Sequence, residues 1–391
     1  MRVSHVITRL IVGGAQENTV ASVLGLRKKA GVEAHLISGP TTGPEGSIES
    51  EVSAIPGLLT VIPELVRPVH PWKDWFALRK LTALFRTQRP DIVHTHSGKA
   101  GILGRIAAYQ AGVPIIVHTI HGPSFGPFQG ALANVAFLTA ERYAGSFTTH
   151  FVTVATAMNQ QYLAASIGRP MQYTCIPSGF PLKPFMSAKN DPALRYRLGI
   201  GVGDFVVGKI ARLFRLKGHD DLFTVAPQLV KRCPHIKFLL VGDGEWRQRF
   251  EQRARKLGLS KHFIFAGLVP PGDVSNHVGV MDALVHLSRR EGLARALPQA
   301  LAAGKPIVAY NCDGAREVCL ENETGFLVTP GDLQQLTERL LQLARDPALR
   351  ERFGRRGQEL VKRWFPVERM VDELHTLYLK LLAARAASRA P

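Results

Sequence analysis

Glu291 and Gln299 stand eight residues apart in EGLARALPQALAAGK, residues 291–305. A carboxylate at the mouth of a helix, followed by a second polar side chain, is a pattern that can hold a ligand. A helix turns once in about 3.6 residues, so this spacing places the two side chains on nearly one face, roughly two turns apart. The sequence predicts a helix that begins in the small-residue stretch after Glu291 and ends near Gly304, with Pro306 ruling out continuation. Its first free amides, those of Gly292, Leu293 and Ala294, would form an anion cradle beside Glu291, which suits a phosphate ester better than a carbohydrate alone. A glutamate at a helix start also stabilises the helix dipole without any ligand, so the pattern needs company.

Company comes from three other loops. KIARLFRLKGHD, residues 209–220, follows a predicted strand and supplies Arg212 and Lys217. A guanidinium and an ammonium there would neutralise a departing diphosphate without a metal; a solvated basic loop is the plainer alternative. Gly13 and Gly14 sit at a strand-to-helix turn, where glycine lets backbone approach a ligand and a new helix offers its amides, or where the chain merely turns tightly. The helix that follows places Val20, Val23 and Leu24 on one face. His94, His96 and His121 cluster at strand ends, with His118 inside a strand. No carboxylate or cysteine joins them at ligand spacing, so hydrogen bonding is expected there and no metal. His121, before Gly122 at the end of its strand, is the one expected to point at a substrate.

These loops must be held by something. A chain of 391 residues with 46% apolar content fits two domains, each able to bury a core. The strands expected in the first half are residues 3–8, 34–38, 91–96, 115–120 and 151–155. In the second half they are 205–211, 237–241, 263–266, 283–287 and 306–310. Helices alternate with them, which implies parallel sheets covered on both faces and so two Rossmann-like domains. Ligands of such sheets bind outside the carboxyl ends of the strands, so two domains facing each other would enclose one cleft. The division expected is 1–180, 181–365 and a final helix over 366–391 that packs back towards the first domain. The link lies in the proline-rich stretch 177–192, and an apolar stripe from Val367 through Leu382 marks the last helix as a packing element.

Net charge is +18, from +6 over residues 1–180 (15 basic, 9 acidic) and +12 over 181–391 (34 basic, 22 acidic). Such a balance attracts phosphate on a nucleotide, a nucleic acid or an anionic lipid surface. The basic residues are dispersed among helices without a zinc-finger or RNA-recognition signature, which argues against a nucleic-acid reader. Cys175, Cys233, Cys312 and Cys319 show no paired ligand spacing, so reduced thiols in a cytoplasmic protein are expected. His5 and Arg9 interrupt the apolar start, which reads as a first strand and not as a signal peptide, and no 20-residue apolar span is evident.

VITRLIVGGAQENT, PDIVHTHSGKAGILGR, VHTIHG, ARLFRLKGH, LLVGDGE, SRREGL and ETGFLV occur in the order and spacing of the family 4 retaining glycosyltransferases, which the chain resembles over nearly its whole length. The resemblance implies an α/β protein of the GT-B fold, two Rossmann-like domains facing each other across a cleft. It implies that Gly13 and Gly14, with Arg212 and Lys217, hold the donor diphosphate, that His121 lies by the donor sugar and the acceptor, and that Glu291 contacts the transferred sugar. The base would lie near Leu268. The donor is then a UDP- or GDP-sugar, with no metal or other cofactor, and the anomeric configuration is retained as the departing phosphate helps deprotonate the acceptor hydroxyl.

The chain departs from the family where Gln299 replaces the second glutamate. An amide offers one uncharged acceptor oxygen to the ribose, so donor binding weaker by about 1 kcal/mol is expected. On the acceptor side, His96 and the apolar segment of Phe125, Phe128 and Phe137 form either a ledge or ordinary core. A ledge together with positive charge suggests a lipid-linked saccharide presented at the inner membrane face, in bacterial cell-surface polysaccharide or glycolipid synthesis. Two other classes stay open: a nucleotide-sugar epimerase, and a catalytically silent binding or scaffold protein.

Overall fold

The computed structural model describes residues 1–43, 45–126 and 128–388. The chain divides into two compact units, Met1–Phe180 with Val367–Pro391, and Pro181–Pro366.

In the first unit, short runs form seven strands: β1 (Arg2–Ile7), β2 (Glu33–Ser38), β3 (Leu59–Val61), β4 (Ile92–His96), β5 (Ile115–Ile120), β6 (His150–Thr153) and β7 (Tyr173–Cys175). They pair in parallel in the order β3-β2-β1-β4-β5-β6-β7. A strand covered on both faces cannot alternate apolar and polar positions, and β5, IIVHTI, is buried throughout. The second unit repeats the design with β8 (Phe205–Ile210), β9 (Ile236–Val241), β10 (Phe263–Gly267), β11 (Ala283–His286), β12 (Ile307–Tyr310) and β13 (Gly325–Val328), in the order β10-β9-β8-β11-β12-β13. Both sheets reverse strand order once, between β1 and β4 and between β8 and β11. Such a reversal leaves a crevice at the carboxyl ends of the flanking strands, where open α/β sheets bind ligands. Two doubly wound parallel α/β units are the fold that the strand and helix alternation implied.

The last helix, Val367–Ala387, belongs to the first unit. It buries Met370, Val371, Leu374, Leu377 and Tyr378, each at about 1.5–3 kcal/mol for full burial. Its partner is the helix Gly14–Leu26, whose buried residues are Asn18, Thr19, Ser22, Val23 and Leu26, while Val20 and Leu24 are only partly covered. Gly25 permits the approach, because a Cβ there would lie 2.3 Å from Val371 Cγ2. Asn18 Nδ2 donates to Ser178 Oγ at 2.9 Å and to Met370 Sδ at 3.0 Å, tying both helices to the end of the first unit's main segment. No helix among the described residues is long and apolar enough to cross a membrane.

Candidate active site

In the second unit the loop after β8 runs from Ala211 to Gly218, where the helix His219–Arg232 begins. Leu216 and Gly218 both take left-handed backbone, with φ of 70° and 66°, on either side of Lys217. This is costly for a leucine and costless for glycine. Gly218 is also required by space, since a Cβ there would lie 2.0 Å from the Leu287 carbonyl oxygen. Arg289 N donates to Leu216 O at 2.9 Å and Ser288 Oγ donates to the same oxygen at 3.3 Å, so the loops after β8 and β11 are stitched together. Lys217 Nζ thereby forms an ion pair with Glu291 Oε1. Glu291 N donates to Asp313 Oδ2 at 2.7 Å and Gly314 N to Gly292 O at 3.0 Å, which fixes the 291–292 backbone from the loop after β12.

The electrostatics follow from this packing. Burial alone would raise the Glu291 carboxyl, but the Lys217 charge and the hydrogen bond from Lys217 hold it at about 2. His286 Nε2 lies 4.0 Å from Glu291 Oε1, and burial pushes that imidazole down to about 3, so it is neutral at pH 7. Behind the pair, burial and the Lys217 charge, opposed by Glu291 and Asp221, bring Lys209 down to about 7. Lys209 Nζ, His286 Nε2 and both ring nitrogens of His219 face no hydrogen-bond partner among the described residues.

The helix after Glu291 differs from the expectation. It spans only Ala296–Ala302, with Arg295 as its cap, so Glu291 lies five residues before it and does not share a helical face with Gln299. Pro298 is the reason. A helix starting at Gly292 would place Pro298 in its interior, without the amide it needs and in collision with the preceding turn; starting at Ala296 puts the proline in the first turn, where an amide is free anyway. Gly292, Leu293 and Ala294 are therefore loop, not a helix N-terminus. Their amides still lie beside Glu291, with no acceptor bound to them among the described residues. Gln299 is buried in the short helix. The Arg212 guanidinium sits 5.6 Å from the Phe214 ring centroid in the same loop as Lys217, and Leu268, half-exposed, follows β10.

In the first unit Gly13 caps the helix Gly14–Leu26 with no side-chain hydrogen bond to its first turn, so those amides have no side-chain cap. Across the sheet reversal, imidazoles form a line. His121 Nε2 meets His96 Nδ1 at 3.0 Å, and His96 Nε2 meets His5 Nδ1 at 2.9 Å. His5 Nε2 lies 3.4 Å from the Tyr378 hydroxyl, which lies 2.5 Å from His94 Nδ1, and His94 Nε2 meets Thr119 Oγ1 at 2.6 Å. Burial lowers His5 and His121 to about 3 and holds His94 and His96 well below their ordinary range, so the rings are neutral. His118 faces the other way, to Thr95 Oγ1 at 2.9 Å. Nitrogens of His5, His94 and His96 fall within 4.8 Å of one another, three buried imidazoles of the kind zinc accepts, but each is engaged by another ring, Tyr378 or Thr119.

The loop after β5 rests on a buried ion pair. Arg105 Nη2 meets Glu141 Oε2 at 2.5 Å, both fully buried, and Ser124 Oγ donates to Glu141 Oε1 at 2.8 Å. Phe125 packs against Tyr162 with ring centroids 5.0 Å apart, and the Phe128 ring closes on Gly126. Pro127, within the expected ledge, lies outside the described residues.

Sequence reasoning thus placed Lys217 and Glu291, and His96 and His121, and the structure brings each pair together. It passed over His5, Lys209, His286, Asp313, Thr119 and Tyr378. For His5 and Lys209 a signal existed, since a titratable residue inside an otherwise apolar strand is rarely there for packing.

Residues 13–179 match the family described as a glycosyl transferase 4-like domain, and residues 190–360 match glycosyl transferases group 1. An Escherichia coli UDP-Gal:alpha-D-GlcNAc-diphosphoundecaprenol alpha-1,3-galactosyltransferase is 28% identical over 325 residues, covering 82% of this chain and 83% of that protein. The capsular polysaccharide biosynthesis glycosyltransferase CapM of Staphylococcus aureus is 25% identical over 322 residues, covering 81% and 84%. Among solved structures, Anabaena HepE in complex with UDP-glucose aligns with a TM-score of 0.81 at 22% identity, covering 98% of this chain and 100% of that one. These likenesses favour a transferase over a silent scaffold or an epimerase. With both halves matched to transferase families and the doubly wound units of the fold in place, the chain belongs to the glycosyltransferases of the GT-B fold.

Proposed function

We propose that this glycosyltransferase moves a sugar from a UDP- or GDP-sugar to a hydroxyl of a lipid-linked saccharide, with retention and without a metal. The observation that carries the reading is the Lys217–Glu291 pair at the carboxyl ends of β8 and β11, beside the unengaged amides of Gly292, Leu293 and Ala294. A departing diphosphate needs positive charge and oriented amides, and Lys217, Arg212 and this loop supply both kinds. Gly13 and Gly14, the cap and first residue of a helix with no side-chain cap, give the first unit a second place for phosphate oxygens. Glu291, ionised throughout the physiological range, accepts from hydroxyls of the transferred sugar; Gln299 accepts from the ribose and Leu268 borders the base. As the glycosidic oxygen leaves on the diphosphate, the acceptor oxygen bonds the anomeric carbon on the same face and its proton passes to the phosphate, so charge and atoms balance. His121 and His96 serve the acceptor side, with Phe125 and Phe128 in the loop that follows His121.

The lipid-linked acceptor draws support from the diphosphoundecaprenol substrate in the E. coli relative's name. It draws further support from apolar side chains exposed on the first unit. Trp72, Trp75 and Phe76 stand out on a helix that also carries Lys73, Arg79 and Lys80, and Leu132 and Val135 stand out on another. Aromatic and basic residues together suit the interface of an anionic bilayer. The experiment is a mass-spectrometric screen of UDP- and GDP-sugars for nucleoside diphosphate release, with EDTA present and with lipid-linked and soluble acceptors. Release from one donor, lost in Glu291→Ala and Lys217→Ala, is the expected result. Activity only with added divalent cation would overturn the metal-free reading, and equal use of soluble acceptors the lipid-linked one.

A further inference from the structure

The imidazole line in the first unit ends in a residue from the far end of the chain. A neutral imidazole carries one N–H and one bare nitrogen, and a phenol carries one proton. A line of such groups must therefore run with all its donors pointing the same way, and fixing one member fixes the rest. Tyr378 is the member that sets the direction. Its hydroxyl makes one short contact, 2.5 Å to His94 Nδ1, and one long contact, 3.4 Å to His5 Nε2. A phenol O–H is a stronger donor than a neutral imidazole N–H, and O–H donors make the shorter bonds. The short contact is the hydroxyl donating to His94, and the long one is His5 Nε2–H donating to the phenol oxygen. His94 then donates from Nε2 to Thr119 Oγ1, a hydroxyl that accepts as readily as it gives.

The rest is determined. His5 Nδ1 is bare and accepts from His96 Nε2–H; His96 Nδ1 is bare and accepts from His121 Nε2–H. His121 is the one ring of the line that is not fully buried, so this polarity emerges at the surface through it. We propose that Tyr378, acting through His5 and His96, is a positioning residue that holds His121 in the Nε2–H tautomer and leaves its Nδ1 lone pair for a substrate hydroxyl. The use of that lone pair rests on the acceptor-side reading of His121; the tautomer itself does not. The role explains why the helix Val367–Ala387 returns to the first unit with a tyrosine in its apolar stripe, hydroxyl inward among buried imidazoles.

The test uses the full chain labelled with 15N-histidine, in which two-bond proton–nitrogen spectra separate the tautomers and His121→Ala identifies the His121 signals. The wild-type protein is expected to show His121 as a single Nε2–H form. Tyr378→Phe is expected to mix the two tautomers and to lower kcat about fivefold to tenfold with donor KM within about twofold, the scale of one lost oriented hydrogen bond. His5→Asn, whose amide oxygen can still accept from His96, is expected to keep the Nε2–H form, and His5→Leu to lose it. A wild-type His121 in the Nδ1–H form overturns the proposal. So does a His121 spectrum unmoved by both Tyr378→Phe and His5→Leu, or stoichiometric zinc on His5, His94 and His96 in the purified chain. Should Tyr378→Phe fail to fold, the His5 pair decides alone. Transfer that survives His121→Ala would sink the acceptor-side reading, leaving the tautomer measurement to judge the line separately.

Discussion

Within β1, at the end of β4 and just after β5 the polar groups are imidazoles that burial keeps neutral, and their arrangement is a matter of hydrogen-bond direction. At the carboxyl ends of β8 and β11 they are an ammonium and a carboxylate in contact, and their arrangement is a matter of charge. Both stand at the point where strand order reverses, so topology alone does not set the chemistry. On the proposed function, what differs is the demand. A diphosphate leaving group develops charge that only charge and aligned dipoles can answer, whereas a hydroxyl acceptor needs orientation, and a neutral donor or acceptor gives this without attracting water or salt.

The comparison breaks first at Lys217. Lys217→Met is expected to lower turnover about 10²–10³-fold, the usual scale for removing a group that answers transition-state charge. His96→Asn in the first unit is expected to cost only about tenfold, the scale of one or two hydrogen bonds. Steady-state kinetics on the two variants check the ranking, and equal losses would mean that the histidine line carries charge after all.

The second prediction concerns Lys209, a lysine drawn into the interior behind the ion pair. Its folded value is lowered to about 7 from an ordinary 10.5. Between these values the unfolded chain binds the extra proton, so the stability of the native protein rises with pH across that window. Below it the lysine is charged in both states and its burial is fully unfavourable. Lys209→Met is therefore expected to raise Tm by several degrees at pH 7, with the gain shrinking towards pH 10. Thermal melts at a series of pH values check it; a loss of stability at pH 7 would show that Lys209 is held by a favourable contact. The smallest effect belongs to Gln299. Gln299→Glu is expected to tighten donor binding by about 1 kcal/mol, read by calorimetry with the nucleoside diphosphate, and unchanged affinity would remove Gln299 from the ribose.

Much of this was legible in the sequence, and particular residues show why. β5 carries the bounds expected, and most other strands differ by a residue or two, because a parallel strand covered on both faces is written largely in apolar residues. β3, β7 and β13 escaped notice; they are three or four residues long and lie at sheet edges, where little burial is needed and little pattern is written. The helix after Glu291 starts four residues later than its small-residue content suggests, because a proline is tolerated in the first turn and not in the interior, and so Pro298 fixes the start. Glu291 and residues 292–294 still follow β11, because their place after a strand does not depend on the helix.

By itself, the sequence determined the alternation of strands and helices, the ends of the strands and the residue types waiting there, since these follow from local period and backbone preference. Only the tertiary structure decided which of those residues meet. Lys217 reaches Glu291 across 74 positions, and Tyr378 reaches His5 across 373. Neither separation leaves a trace in any local pattern. Both contacts exist because glycines at 218 and 25 let loops and helices close to distances that a side chain would forbid, and because a helix at the end of the chain buries its apolar stripe on the first unit.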